Sequence, residues 1–312
     1  MKLEHGLVLV FVATIGIYAT FLFISDFDII SEKISDFKFD FLPIILLLTS
    51  ASWIPIFFKW HILLKNAQVE ISFKKSIAVF LSGPVFEVTP GQIGILMKAQ
   101  ILKTGSDISR TKTIPIVLVE KLYDLIGAIL ASIIGIIILG LEPNLIIIAI
   151  SALIVIFFFM YYKPASGIFF KRITKTKFFS KYIDNIEEFY ETVQKSTRLK
   201  VNVICILLSL SYWFIISAAA YVTLIAFDID VLNYLEITAI YSTSVLLGAV
   251  TFIPAGIGIT EGSVAGLFTL NGINISTAFI VSIMIRILTL WYSVSVGFIA
   301  LKFTGIFSFK KN

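Results

Sequence analysis

Six charged residues stand out by type and spacing: Lys98, Glu120, Lys121, Asp124, Glu261 and Arg286. Each lies in or beside an apolar run. Glu120 and Asp124 are four apart, so on a helix they share a face. Gly127, Ala131 and Gly135 continue that face as a stripe of small residues suited to close helix packing. Arg286 falls about ten residues into the last apolar run, near the centre of a bilayer at about 1.5 Å per residue. A guanidinium there needs an anionic partner, and Glu261 and Glu120 are the candidates the protein supplies. Lys98, Lys121 and Arg286 are the types that hold a phosphate through charge-assisted hydrogen bonds. Glu120, Asp124 and Glu261 would balance them in an empty site or carry a coupling proton.

Two broken stretches must position these charges. Thr89-Pro90-Gly91-Gln92-Ile93-Gly94-Ile95 and Ile253-Pro254-Ala255-Gly256-Ile257-Gly258-Ile259-Thr260-Glu261 share the frame Pro-x-x-Ile-Gly-Ile. Pro90 and Pro254 end a helix, because proline lacks a donor and clashes with the preceding turn. The glycines open backbone conformations closed to other residues. Broken backbone at membrane depth is tolerated only when buried in protein or lining a cavity, and helix N-termini at the breaks offer donors to an anion. Thr89, Gly91, Gln92, Gly94, Gly256 and Gly258 therefore join the six charges as candidate substrate-binding residues. The blander reading is two polar turns between ordinary spans. A second echo, Gly105-Ser106-Asp107-Ile108-Ser109 and Gly272-Ile273-Asn274-Ile275-Ser276, argues for a repeat. The long helix after each carries a cation, Lys121 or Arg286.

Composition sets the surroundings. The 312 residues are 58% hydrophobic and 14% charged, with a mean hydropathy of +0.98. That is too apolar for a soluble domain and predicts an all-α polytopic membrane bundle. The net charge of +5 reads as Lys and Arg gathered in cytoplasmic loops, not as nucleic-acid binding. Cys205 has no partner for an intramolecular disulfide and reads as a buried thiol. His5 and His61 are too few for a metal site. No nucleotide-binding Gly-x4-Gly-Lys-Ser/Thr loop is present, and no cofactor is expected.

The predicted spans are Gly6–Ile24, Leu42–Phe58, Ile114–Leu141, Leu145–Tyr162, Val201–Phe227 and Ile275–Phe303. Ser76–Met97 and Ile237–Leu270 contain the breaks and read as re-entrant helical hairpins. A loop after Phe58, with Lys59, Lys65, Lys74, Lys75 and His61, and a basic tail, Lys302, Lys310 and Lys311, place both termini in the cytoplasm of a cell-membrane protein. Residues 163–200, basic with interleaved aromatics, read as an amphipathic connector on an anionic inner leaflet. The result is one transmembrane domain, residues 1–312, with about six spans and two hairpins. Its repeats, about 42–141 and 201–303, have opposite orientation, as in secondary transporters.

At these residues the chain resembles the transmembrane region of bacterial lysylphosphatidylglycerol synthases, a flippase-like group that also includes stand-alone members. The family pattern in the first half is roughly Pro-Gly-basic-x-Gly-Glu, a basic residue soon after, then Glu-Arg-x-x-Asp. Thr89-Pro90-Gly91-Gln92-Ile93-Gly94 and Lys98 match that frame, and Glu120-Lys121-Leu122-Tyr123-Asp124 matches with Lys for Arg. Pro254-Ala255-Gly256-Ile257-Gly258-Ile259-Thr260-Glu261 matches the second-half pattern Pro-x-Gly-x-Gly-x-x-Glu, and Arg286 matches a basic residue in the last helix. Gln92 replaces a usual base and Ile95 a usual Glu, which leaves substrate preference open. The synthases carry an aminoacyl-transferase domain after the membrane region, whereas the sequence ends at Asn312, so aminoacylation of lipid is not expected. The resemblance implies movement of a polar, anionic or phosphate-bearing lipid between leaflets by a non-enzymatic transporter. Two other classes stay open. One is an integral membrane enzyme using Glu87, Glu120, Asp124 and Glu261 as acid or base. The other is a non-catalytic partner of a glycosyltransferase or other envelope-assembly enzyme, docked through residues 163–200.

Overall fold

The computed structural model describes residues 36–88, 96–138, 140, 143–161, 186–251 and 253–304. Every regular element among them is helical. Four helices are long and apolar enough to cross a bilayer: Phe39–Asn66, Arg110–Ile138, Leu199–Ala226 and Ile275–Thr304. Their outward faces carry Leu47, Ile54, Val203, Leu207 and Ile299, all exposed. In water that surface would be a large apolar patch; around a helical bundle it is the surface acyl chains require. The protein is an all-α polytopic membrane bundle.

We number the α-helices α1 (Leu42–Asn66), α2 (Phe73–Leu81), α3 (Met97–Ser106), α4 (Arg110–Ile138), α5 (Pro143–Tyr161), α6 (Ile186–Ser196), α7 (Leu199–Ala226), α8 (Tyr234–Val250), α9 (Ile259–Leu270), α10 (Ile275–Arg286) and α11 (Tyr292–Leu301). Helices α1, α4, α7 and α8 form the packed centre: α7 lies against α1, α4 and α8, and α8 also lies along α4. Helix α9 bridges α8 and α10, while α11 packs on α2 and on the one-turn helix Pro84–Glu87. At about 1.5 Å per residue, α2 and α9 span only about 14 and 18 Å, short of the roughly 30 Å of a hydrocarbon core.

Three expectations need correction. The second predicted span does not stop at Phe58. Trp60, Leu63 and Leu64 continue the buried stripe, and the helix ends only at the turn where Gln68 takes a φ of 54°. Lys59, His61 and Lys65 are thus helical, not loop residues. The last helix runs unbroken from Ile275 to Thr304 but is not uniformly α-helical: a π-helical turn, Ile287–Trp291, lies between α10 and α11 directly after Arg286. The third concerns the connector, of which residues 163–185 lie outside the described residues. Helix α6 is strongly amphipathic but buries Thr192, Val193 and Ser196 and packs on α4. Tyr123 of α4 donates its hydroxyl to the Ser196 carbonyl at 2.9 Å and also pairs with Asn202 of α7. So α6 is a lateral buttress of the bundle. The predicted first span, Gly6–Ile24, also lies outside the described residues, as does the first break, 89–95.

The first member of the small-residue stripe, Gly127, packs as its spacing suggests. A Cβ added to Gly127 would lie 2.8 Å from Ser209 Cβ and 2.9 Å from the Ser209 carbonyl carbon. Helices α4 and α7 therefore touch backbone to backbone. Gly127→Ala is expected to lower stability by about 1–3 kcal/mol, since the obstacle is main chain and cannot rotate away. Unfolding in mixed detergent micelles checks this; an unchanged midpoint would show that α4 and α7 separate freely.

Candidate functional site

The second break is built as its sequence suggests. Helix α8 ends at Val250, and Pro254–Gly256 forms a 3-10 turn in which Ala255 takes the left-handed region with φ of 49°. Gly256 and Gly258 follow at 66° and 85°, conformations that cost a side-chain-bearing residue strain. Gly256 is also pressed against Gly248, whose Cα would lie 2.9 Å from an added Cβ. The chain then turns into α9, and the Gly258 N–H donates to Glu261 Oε2 at 2.7 Å. A carboxylate is favourable at this N-terminus, where helix donors are unpaired. The other oxygen of Glu261 accepts from Arg286 Nε at 3.0 Å. Arg286 Nη2 donates to the Ala255 carbonyl in the break itself. Of the two partners the sequence offered Arg286, the structure selects Glu261. Both are buried, at 1% and 4% exposure.

The first half supplies a second buried pair. Lys98 Nζ, on α3, donates to both oxygens of Glu120, on α4, at 3.0 Å each. It lies 5.0 Å from the Trp60 ring centroid and 5.4 Å from that of Phe80, where ring quadrupoles favour a cation. Gly83 makes room for it: a Cβ there would lie 2.6 Å from Lys98 Cε.

Between these pairs lies a more open group. Lys121 Nζ donates to Glu87 Oε1 at 2.7 Å and lies 3.8 Å from Asp124 Oδ2. The other Asp124 oxygen accepts from Lys59, which also donates to Ser209 Oγ at 2.9 Å. Lys121, Glu87 and Asp124 keep 32%, 34% and 26% of their side-chain surface exposed, whereas Lys59 has none. Four cations (Lys59, Lys98, Lys121 and Arg286) thus meet four carboxylates (Glu87, Glu120, Asp124 and Glu261).

A cavity of about 190 Å³ opens onto this cluster. Glu87, Lys98, Glu120, Lys121, Asp124 and Arg286 line it. Its apolar wall includes Trp53, Tyr212 and Trp213, so charge and aromatic faces meet in one chamber. Glu261 stands behind Arg286, and Gly256 and Gly258 shape the break that positions them. The five candidates of the first break (Thr89, Pro90, Gly91, Gln92 and Gly94) lie outside the described residues. Lys59 is the residue that sequence reasoning misplaced. The signal was there: Ile45, Thr49, Ser52, Lys59 and Leu63 are buried at helical spacing on α1, so the polar side of a span continued into Lys59. The π-helical turn gave no such signal. It is fastened by Thr49 Oγ1 to the Leu288 carbonyl at 3.1 Å, and Tyr241 and Thr289 hydroxyls pair at 3.1 Å beside it.

Helices, lipid-ready exterior and a buried charge cluster define an integral membrane protein. The chain belongs to the family of the lysylphosphatidylglycerol synthase transmembrane region, whose model matches residues 7–297. It is also similar to a UPF0104 membrane protein of Pyrococcus horikoshii, with 24% identity covering 77% of this chain and 79% of that protein.

Proposed function

We propose that the protein is a flippase-like secondary transporter that moves a phosphate-bearing lipid between leaflets, its headgroup passing through the charged cavity. One observation carries this: six charged side chains from four helical segments line a single chamber. Burying charge in a membrane domain is costly. A purely structural role would need one or two such groups, not a chamber walled with them. Lys121, partly exposed, is the cation a phosphate would meet, with Lys98 and Arg286 behind it. The two helix–break–helix segments are read as re-entrant units entered from opposite faces, in a cell-membrane protein with both termini in the cytoplasm. Their short helices, α2 and α9, support that reading by length.

The test is leaflet translocation. Purified protein in liposomes containing fluorescent anionic phospholipids or polyprenyl phosphates should expose inner-leaflet label to an outside quencher faster than protein-free liposomes do. Folded protein that moves none of these lipids would transfer the reading to the anchoring or enzymatic class.

A further inference from the structure

Resting on the reading of the cavity as a headgroup site, we infer that Glu87 is a tethered competitor for the anion. Its carboxylate occupies Lys121 in the empty site, and an anionic headgroup reaches Lys121 when Glu87 takes up a proton and lets go.

The four carboxylates are held unequally. Glu261 accepts from Arg286 and from the Gly258 N–H, with almost no exposure. Glu120 receives Lys98 on both oxygens, at 3% exposure. Asp124 is secured by the wholly buried Lys59. Glu87 pairs with Lys121, and both are about one-third exposed to the chamber. An entering phosphodiester therefore meets the Lys121–Glu87 pair first and competes with Glu87 for the same ammonium.

Charge sets the condition. With four cations on four carboxylates, the cluster is neutral when all are ionised. Adding a phosphodiester leaves it one negative charge in excess, in a chamber only partly open to water, where excess charge costs more than in bulk. One proton on one carboxylate restores balance. Glu87 contacts Lys121 of α4, and Glu120 and Asp124 of α4 and Lys98 of α3 line the same chamber. Across the chamber stand Tyr212 of α7 and Arg286 of α10, with Lys59 of α1 behind Asp124. Of these carboxylates Glu87 is the one whose neutralisation leaves a chamber-facing cation, Lys121, with only its longer 3.8 Å contact to Asp124, and strands no buried cation. It also sits at the end of a firmly seated element. The one-turn helix Pro84–Glu87 is packed on α11 so tightly that a Cβ on Gly297 would lie 2.8 Å from Val85 Cγ2. The side chain can swing while its backbone stays fixed.

Binding of short-chain phosphatidylglycerol to the purified protein, followed by tryptophan fluorescence from about pH 5 to 8, tests this, because the phosphodiester keeps a single charge throughout. In the native protein Kd should weaken with rising pH, approaching about tenfold per unit, the slope of one proton per ligand. Glu87→Gln should bind at least about tenfold more tightly at the alkaline end and lose the slope. A variant that keeps the slope, or binds more weakly than the native protein, overturns the inference. Should Glu87→Gln not fold, calorimetry of the native protein in buffers of differing ionisation enthalpy decides: about one proton taken up per lipid supports the inference and none overturns it. Binding without pH dependence overturns it while leaving the headgroup reading intact. No binding at any pH overturns both.

Discussion

Arg286→Ala is expected to destabilise the protein by about 3–5 kcal/mol, the usual penalty for stranding one member of a buried ion pair. Glu261 would remain at 1% exposure with no cation beside it, and the Ala255 carbonyl would lose its guanidinium donor. Arg286→Lys is expected to fall only partly short of the alanine loss. One ammonium cannot reproduce a guanidinium that uses Nε for Glu261 and Nη2 for Ala255. The paired replacement Arg286→Met with Glu261→Met removes both charges and should recover most of the stability, since apolar side chains often substitute for a buried pair without loss. Recovery stays short by about 1 kcal/mol, because Glu261 also caps α9 through the Gly258 N–H. Unfolding of the single and double variants in detergent gives the coupling directly. Additive losses, with no recovery in the double variant, would mean that Arg286 and Glu261 do not act as a pair.

The buried pair at Arg286 was nearly legible from sequence, and the reason bears on what else was. A guanidinium in the middle of a long apolar run has few places to find an anion, and Glu261 follows the break that must lie beside it. Helix existence and type were equally open to reading, because runs of the length and hydropathy of Val201–Phe227 leave little choice in a membrane. The limits were finer. The end of α1 was lost because lysines were counted as loop markers. Yet a lysine one step along a polar stripe can stay inside when an aspartate on another helix awaits it, as Asp124 awaits Lys59. The π-helical turn after Arg286 has no proline or glycine to announce it; it depends on contacts from α1 and α8, such as Thr49 and Tyr241. From sequence, Glu87 was one of four candidate acids or bases, with no partner assigned. Its partner, Lys121, is 34 positions away, and no local pattern pairs them. Helix α6 was read correctly as amphipathic, but periodicity alone does not say whether an apolar face meets lipid or protein. Burial of Val193 against α4 decides for protein.

On the proposed reading of the chamber as a headgroup path, Lys121→Gln should abolish most transport while leaving the fold intact, the reverse of the Arg286 result. Lys121 keeps about a third of its side chain exposed, as does Glu87, so water in the chamber can solvate the carboxylate left behind. Exposed or half-exposed pairs contribute little to stability, and a change within about 1 kcal/mol is expected. Transport is another matter. A lysine that gives a phosphate two charge-assisted hydrogen bonds of about 1.5 kcal/mol each contributes about 3 kcal/mol to its capture. Losing that slows translocation roughly a hundredfold if it acts on the barrier. The measurement is the initial rate for a fluorescent anionic lipid in liposomes, native beside variant, with the unfolding midpoint recorded on the same preparations. Raising salt should weaken headgroup capture in the native protein, because the chamber is open to counterions, and should matter less in the variant. An unchanged rate would mean that the headgroup does not touch Lys121. A lost fold would mean that the open group at Lys121 is as structural as the buried pair at Arg286. The two variants together therefore separate a chamber that holds the bundle together from one that holds a lipid.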